Sequence, residues 1–202
     1  MTDLLAEPSG GTPIADDERQ GLRLPVLTRD ELNRAEARNI SDAMLWLFNS
    51  RRRLRPESVV TETWLIALHR RMYDQVWSWA GKYRTTDKNL GVPFWQARVE
   101  MRSLEADAQA WLADTSEKRL GDDECAIRFG YRLVVIHPFP NGNGRWSRLA
   151  SDALVVALGG HRFSWGGGSL TAADQVRRTY IAALQTADHT GDFVPLLSFA
   201  RS

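Results

Sequence analysis

The stretch from Val134 to Arg148 leaves the backbone of this chain few choices. A run of helical period that ends in Val134, Val135 and Ile136 must stop at His137, because Pro138 cannot continue a helix and restricts the residue before it. Pro140, Gly142 and Gly144 then shape a tight loop, and a new helix opens near Asn143. The first turn of a helix carries N–H groups with no intrahelical partner and the positive end of the dipole. With glycines at 142 and 144 a ligand can approach the backbone closely. These features together describe an anion site, above all one for phosphate.

The side chains of the stretch suit the same chemistry. Arg145 and Arg148 are three residues apart, so they share a helix face and can address one polyanion. His137 stands at the rim, where a general base would sit if a hydroxyl attacked phosphorus. Asn141 offers a carbonyl oxygen to a divalent cation or an amide to a phosphate oxygen. Each residue alone has a plainer reading: a helix-capping histidine, an Asn-Gly turn, a solvated pair of arginines. A turn, however, needs neither a preceding His nor two following Arg at turn spacing.

Elsewhere the periodicity is helical. Thr28 to Glu31 form a capping box that opens a helix through Ala35, Ile40, Ala43, Met44 and Leu47, closed by the basic run Arg51-Arg52-Arg53 with Arg55. A second helix is expected from about 58 to 76, with Val60, Trp64, Ala67, Leu68, Met72 and Val76 inward. Trp77 to Asp87, rich in aromatics and threonines, reads as a short extended hairpin. Helices follow over about 96–114, 122–136, 143–158 and 171–187, with a last short one after Gly191-Asp192. Residues 1–20 lack apolar periodicity and read as a flexible arm ahead of one domain over 21–202. The expected fold class is all-α, a helical bundle with one small β-hairpin.

Bulk properties exclude several functions. A net charge of +1 in 202 residues argues against a protein that coats nucleic acid or an anionic membrane. A helical nucleic-acid binder using Arg51 to Arg55 and Arg177-Arg178 is therefore the weaker alternative. Cys125 is the only cysteine, which rules out an internal disulfide and a cysteine-based zinc cluster. No apolar run is long enough to span a bilayer, and the N-terminus lacks the pattern of a secretory signal, so a cytoplasmic protein is expected.

The string H-P-F-P-N-G-N-G-R-W-S-R, His137 to Arg148, resembles the signature H-P-F-x-[DE]-G-N-G-R-x-x-R of the Fic/Doc (Fido) family. It departs only at Asn141, where the family usually has Asp or Glu; the Asn form is similar to the branch called mobile mystery protein B. Leu68 to Tyr73 with Val76 to Arg84 resemble the helix and flap that precede the motif in that family. Tyr180 to Leu184 and Gly191 to Leu196 resemble its closing helices.

The resemblance implies a protein adenylyltransferase that moves AMP from ATP, with Mg²⁺, onto a hydroxyl side chain of a target protein. His137 would deprotonate that hydroxyl. Gly142, Asn143 and Gly144 would cradle the phosphates, Arg145 and Arg148 would neutralise them, and Phe139 would anchor the loop. A flap of Lys82, Tyr83, Arg84, Thr85, Thr86 and Asp87 would pair with the target by strand addition. Asn141, as a neutral amide, is a poor ligand for Mg²⁺. That leaves open a different phosphoryl or nucleotidyl donor, or a nucleotide-binding pseudoenzyme. Members of the family are often silenced by a helix whose Glu pairs with the second motif arginine; Glu36 is the candidate here, with Arg148 as its partner. An antitoxin-like or helix-turn-helix companion protein is the other regulator that the resemblance implies.

Overall fold

The computed structural model describes residues 16–25, 28–49, 53–167 and 173–202. Positions 1–15 of the expected arm, Arg51 and Arg52 of the basic run and Thr171 lie outside the described residues. The described part of the arm is packed: α1, Asp16–Arg19, buries Glu18 and passes its chain to Gly21.

Helix α2, Arg29–Leu47, begins as its sequence dictates. Thr28 accepts from the Glu31 N–H while the Glu31 carboxylate accepts from the Thr28 N–H. Its last turn holds no basic residue. The helix expected over 58–76 is two: α3, Pro56–Val59, and α4, Glu62–Tyr73. Thr61 divides them, its hydroxyl accepting from the Trp64 N–H as an N-cap, which competes with helix continuation. Then follow α5, Ala97–Ala113, α6, Asp122–Ile136, α7, Asn143–Ala157, α8, Ala173–Thr190, and α9, Val194–Arg201.

The antiparallel pair α6–α7 is the centre. α3 and α4 pack on α7, α2 lies on α4, and α5 and α9 flank α6. Trp146, Phe129, Leu133, Ile136 and Leu154 fill the middle, and the indole of Trp146 donates to the Leu65 carbonyl across to α4 at 3.0 Å. The site loop therefore hangs between two helices whose inner faces are fully buried. Among the described residues no helix is long and apolar enough to cross a membrane.

The expected β-hairpin is absent from the described residues. Leu22 and Trp77 form an isolated antiparallel bridge, and the rest of 77–87 is turns and irregular chain. The physical reason lies in where its backbone bonds go. Ser78 N–H donates to Gly21, Arg23 N–H to Val76 and Arg84 N–H to Pro138, while Ala80 and Lys82 N–H close turns onto Trp77 and Trp79, so the segment makes turns and distant pairs rather than a strand ladder.

Candidate functional site

The end of α6, the loop and the start of α7 line a cavity of about 960 Å³. α2 contributes Arg29 and Asn33 to one wall, residues 89–92 form a lip, and α8 closes the far side with Val176, Arg177, Tyr180, Ile181, Leu184 and Asp188. His137, Asn141, Gly142, Asn143, Gly144, Arg145 and Arg148 all line it. The structure thus brings these seven residues of the motif to one concave surface.

His137 ends α6 in the left-handed region, φ 52 and ψ 58, a conformation that costs an ordinary residue free energy and needs external support. Arg84 supplies it: its Nε donates to the His137 carbonyl at 2.6 Å and its backbone N–H to Pro138 at 2.9 Å. Gly91 packs so close that a Cβ there would lie 2.5 Å from the His137 Cβ, and its φ of +101 is itself glycine territory. The imidazole is buried, and that burial pulls its pKa down to about 4; the Val134 bond opposes, and the charges of Arg84 and Lys88 reinforce. Nδ1 lies 3.3 Å from the Val134 carbonyl, which can only accept, so the proton sits on Nδ1. Nε2 keeps its lone pair. A neutral imidazole with a free lone pair on the cavity wall is a base ready to take a proton.

The loop is closed by its own side chains. The Asn143 amide is buried and grips both polar groups of Phe139, accepting from its N–H at 3.0 Å and donating to its carbonyl at 2.8 Å. Its side-chain amide is therefore committed to the loop, which leaves its backbone N–H as the group it can offer a ligand. Asn141 Oδ1 accepts from the Gly142 N–H at 2.6 Å. Phe139 is fully buried, stacked on His69 with ring centroids 3.7 Å apart. Gly142 has φ +80, and a Cβ there would lie 2.5 Å from the Tyr73 ring, so no other residue fits without moving α4.

Arg148 donates from Nε to the Gly144 carbonyl at 3.2 Å and lies over the Tyr180 ring. Glu36 is buried on α2, not a solvated helix charge, but its partner is not the one expected. Its Oε2 pairs with Arg145 Nη1 at 2.8 Å, while Oε1 accepts from the Trp77 indole at 2.7 Å. Arg145 also lies over the Tyr73 ring. Trp77 holds the carboxylate in a position that favours the first motif arginine over the second.

None of Lys82, Tyr83, Arg84, Thr85, Thr86 and Asp87 lines the cavity. Tyr83 donates to Glu62 at 2.7 Å and lies under the Arg98 guanidinium, and Arg84 is buried beneath His137. Arg84 also donates to the carbonyls of Thr86 and Val92, so its guanidinium braces the segment from within. Lys82, Thr85, Thr86 and Asp87 are exposed. The segment that does reach the cavity is Asn89, Leu90, Gly91 and Val92, which no sequence signal marked.

Sequence reasoning also missed Arg29, Arg177 and Tyr180 as lining residues. Arg177, expected beside Arg178 in the nucleic-acid alternative, lines the cavity together with Arg29, Arg145 and Arg148. The residues do not fit a resident magnesium centre. Among the described residues no three His, Cys, Asp or Glu side chains stand together as ligands, and the Asn141 oxygen is engaged by its neighbour's N–H.

Residues 59–155 match the sequence pattern of the Fic/DOC family, and this stretch is a Fic/DOC domain. It is 28% identical over 178 residues to a protein adenylyltransferase Fic of Nematostella vectensis, covering 88% of this chain and 39% of that protein. It is 32% identical over 120 residues to protein adenylyltransferase fic-1 of Caenorhabditis briggsae, covering 59% of this chain and 22% of that one. The chain thus spans two fifths or less of the length of these curated relatives. In fold it resembles the BepC protein of Bartonella tribocorum, solved with bound AMPPNP: TM-score 0.63, 18% identity, 89% of each chain covered.

Proposed function

We propose that this chain transfers AMP from ATP to a hydroxyl side chain of a target protein. One observation carries the reading: a neutral His137, its Nε2 lone pair free, shares a cavity with the glycine-rich N-terminus of α7 and four arginines. The acceptor oxygen attacks the α-phosphorus, its proton passes to His137 Nε2, and the bond to the leaving pyrophosphate breaks. Backbone N–H groups of α7 and the guanidiniums of Arg145 and Arg148 stabilise charge on the phosphates. ATP enters with magnesium as part of the substrate, its cation held by the phosphates themselves. The acceptor segment reaches His137 past the exposed Thr85, Thr86 and Asp87 and the lip at 89–91.

Two observations favour a second reading, a nucleotide-binding pseudoenzyme or an enzyme with another donor. Asn141 supplies no carboxylate, and Glu36 already occupies Arg145. The Asn141 variant also keeps the mobile mystery protein B branch, and with it an antitoxin-like helix-turn-helix companion, within this proposal.

The test is intact-mass spectrometry of the chain and of lysate proteins after incubation with ATP and magnesium. An added AMP group supports transfer; nucleotide binding without any adduct supports the second reading. Asn141→Asp is expected to raise transfer, since a charged oxygen holds Mg²⁺ better than an amide. An unchanged rate in that variant would show that the site manages without a protein ligand for the metal.

A further inference from the structure

Two side chains of α4 touch the phosphate loop from the side opposite the cavity, and neither belongs to the motif. His69 is fully buried, and the Gly81 N–H donates to its Nδ1 at 2.9 Å. Nδ1 must then be the bare nitrogen, so Nε2 carries the proton and donates to the Asn141 carbonyl at 3.1 Å. Burial lowers the His69 pKa to about 3, which keeps this tautomer neutral over the working range. One turn on, the Tyr73 hydroxyl donates to the Gly142 carbonyl at 3.3 Å. Two successive carbonyls of the loop are thus drawn toward α4.

We propose that His69 and Tyr73 are positioning residues that aim the N–H groups of the loop into the cavity. In a trans peptide the C=O and the following N–H point to opposite sides, and no described peptide here is cis. Drawing the Gly142 carbonyl to Tyr73 turns the Asn143 N–H away from α4. That is the cavity side, which Asn143 and Gly144 line and which His69 and Tyr73 do not. Drawing the Asn141 carbonyl to His69 turns the Gly142 N–H the same way, where Asn141 Oδ1 meets it. A flip of either peptide would present a carbonyl oxygen where an anion must bind. The Gly142 carbonyl also accepts from the Trp146 N–H at 3.0 Å as the first bond of α7, so the two α4 bonds act with the helix start to choose a loop that attracts phosphate over one that repels it.

Packing supports this role. The Tyr73 ring occupies the space a Gly142 Cβ would need, and Phe139 stacks on His69, so α4 is the surface against which the loop is moulded. Because His69 also accepts from Gly81, it ties the loop to the segment that braces His137.

The inference rests on the phosphate-site part of the proposed function and not on which group is transferred. Its test is calorimetric binding of inorganic pyrophosphate to the full chain, well below the melting temperature, in the wild type and in Tyr73→Phe, His69→Leu and His69→Gln. Tyr73→Phe keeps the ring and loses one bond, and is expected to weaken binding about fivefold to tenfold. His69→Leu is expected to weaken it at least as much. His69→Gln restores a donor for Asn141 but leaves Gly81 without its acceptor. It should recover most of the affinity while melting as low as His69→Leu, a split that a purely structural role would not give. Tyr73→Phe binding as wild type, or His69→Gln as weak as His69→Leu, would overturn the proposal. If His69→Leu does not fold, the comparison of Tyr73→Phe with wild type decides it. A wild-type chain that binds no pyrophosphate sinks this inference and the phosphate site together, whereas binding without AMP transfer sinks only the choice of reaction.

Discussion

The loop between α6 and α7 and the segment between α4 and α5 are both irregular and both border His137, yet they are held differently. The first adds local ties to those it receives from α4: Asn143 grips Phe139 four residues back, and Asn141 meets the N–H of its own neighbour, while His69 and Tyr73 bond it from outside. The second is held from afar. Ser78 donates to Gly21, Trp79 to the Glu18 carbonyl, and Arg84 to His137 and Pro138. Local interactions leave a short readable string; distant ones leave side chains whose partners the string does not name.

His137→Ala is the largest expected effect and tests the motif loop. Transfer is expected to fall about 10²- to 10⁴-fold while melting temperature and nucleotide binding stay near wild type, as measured by adduct formation, scanning calorimetry and titration. Retention of most of the transfer rate would remove His137 as the base. Because burial puts its pKa near 4, the wild-type rate is expected to stay level from pH 8 down to about 5. A fall centred on 6.5 would show an imidazole open to water.

Arg84→Leu tests the segment held from afar. Three carbonyls, those of His137, Thr86 and Val92, lose their donor, for about 3 kcal/mol in all. A drop in melting temperature is expected together with loss of transfer, since the left-handed His137 loses its support. A variant as stable as wild type would show that the segment is held locally after all.

Glu36→Gln sharpens the contrast at its seam, where Trp77 of the far-held segment fixes the carboxylate on Arg145 of the loop. The amide keeps an oxygen for the indole and removes the charge from Arg145, so auto-modification is expected to rise several-fold. An unchanged rate would make Glu36 a brace and leave inhibition to a separate companion protein.

The smallest effect lies beyond the loop, on α7. Burial raises the Asp152 pKa from 3.8 to about 6. Its folded value exceeds its unfolded one, so it adds stability as pH falls from about 6 to about 4 and withdraws it as pH rises. His69 and His137 act oppositely, since their lowered values mean the unfolded chain takes up protons first below about 6.5. Asp152→Asn is therefore expected to lose stability more steeply than wild type in that window, by about 1 kcal/mol per pH unit. Parallel denaturation curves at pH 4 to 6 would contradict it.

Most helices were legible because capping and periodicity are local: Thr28 with Glu31 opens α2, and Pro138 stops α6 where the sequence says it must. The motif was legible for the same reason. The aromatics and threonines of 77–87 misled because strand-like composition says nothing about whether a strand partner is near. Glu36 was legible as an acid on α2, but its choice of Arg145 depends on Trp77, 41 residues away. The cavity wall from Arg29, Arg177 and Tyr180 needed the packing of α2 on α4 and of α8 on α9, which no window of sequence contains.

Glu18 and Lys88 form an ion pair in which both side chains are almost wholly buried. Lys88 is also one of the two cations that depress the His137 imidazole. The turn at Glu18 is thus wired into the electrostatics of His137 at a distance along the chain of more than a hundred residues. Anything that lifts that turn off the body, whether a fused tag, a protease or a bound partner, would strand a buried lysine and let water in beside the base. That turn is in this sense a gasket for the chemistry, and a truncation chosen for convenience at residue 20 would unseat it.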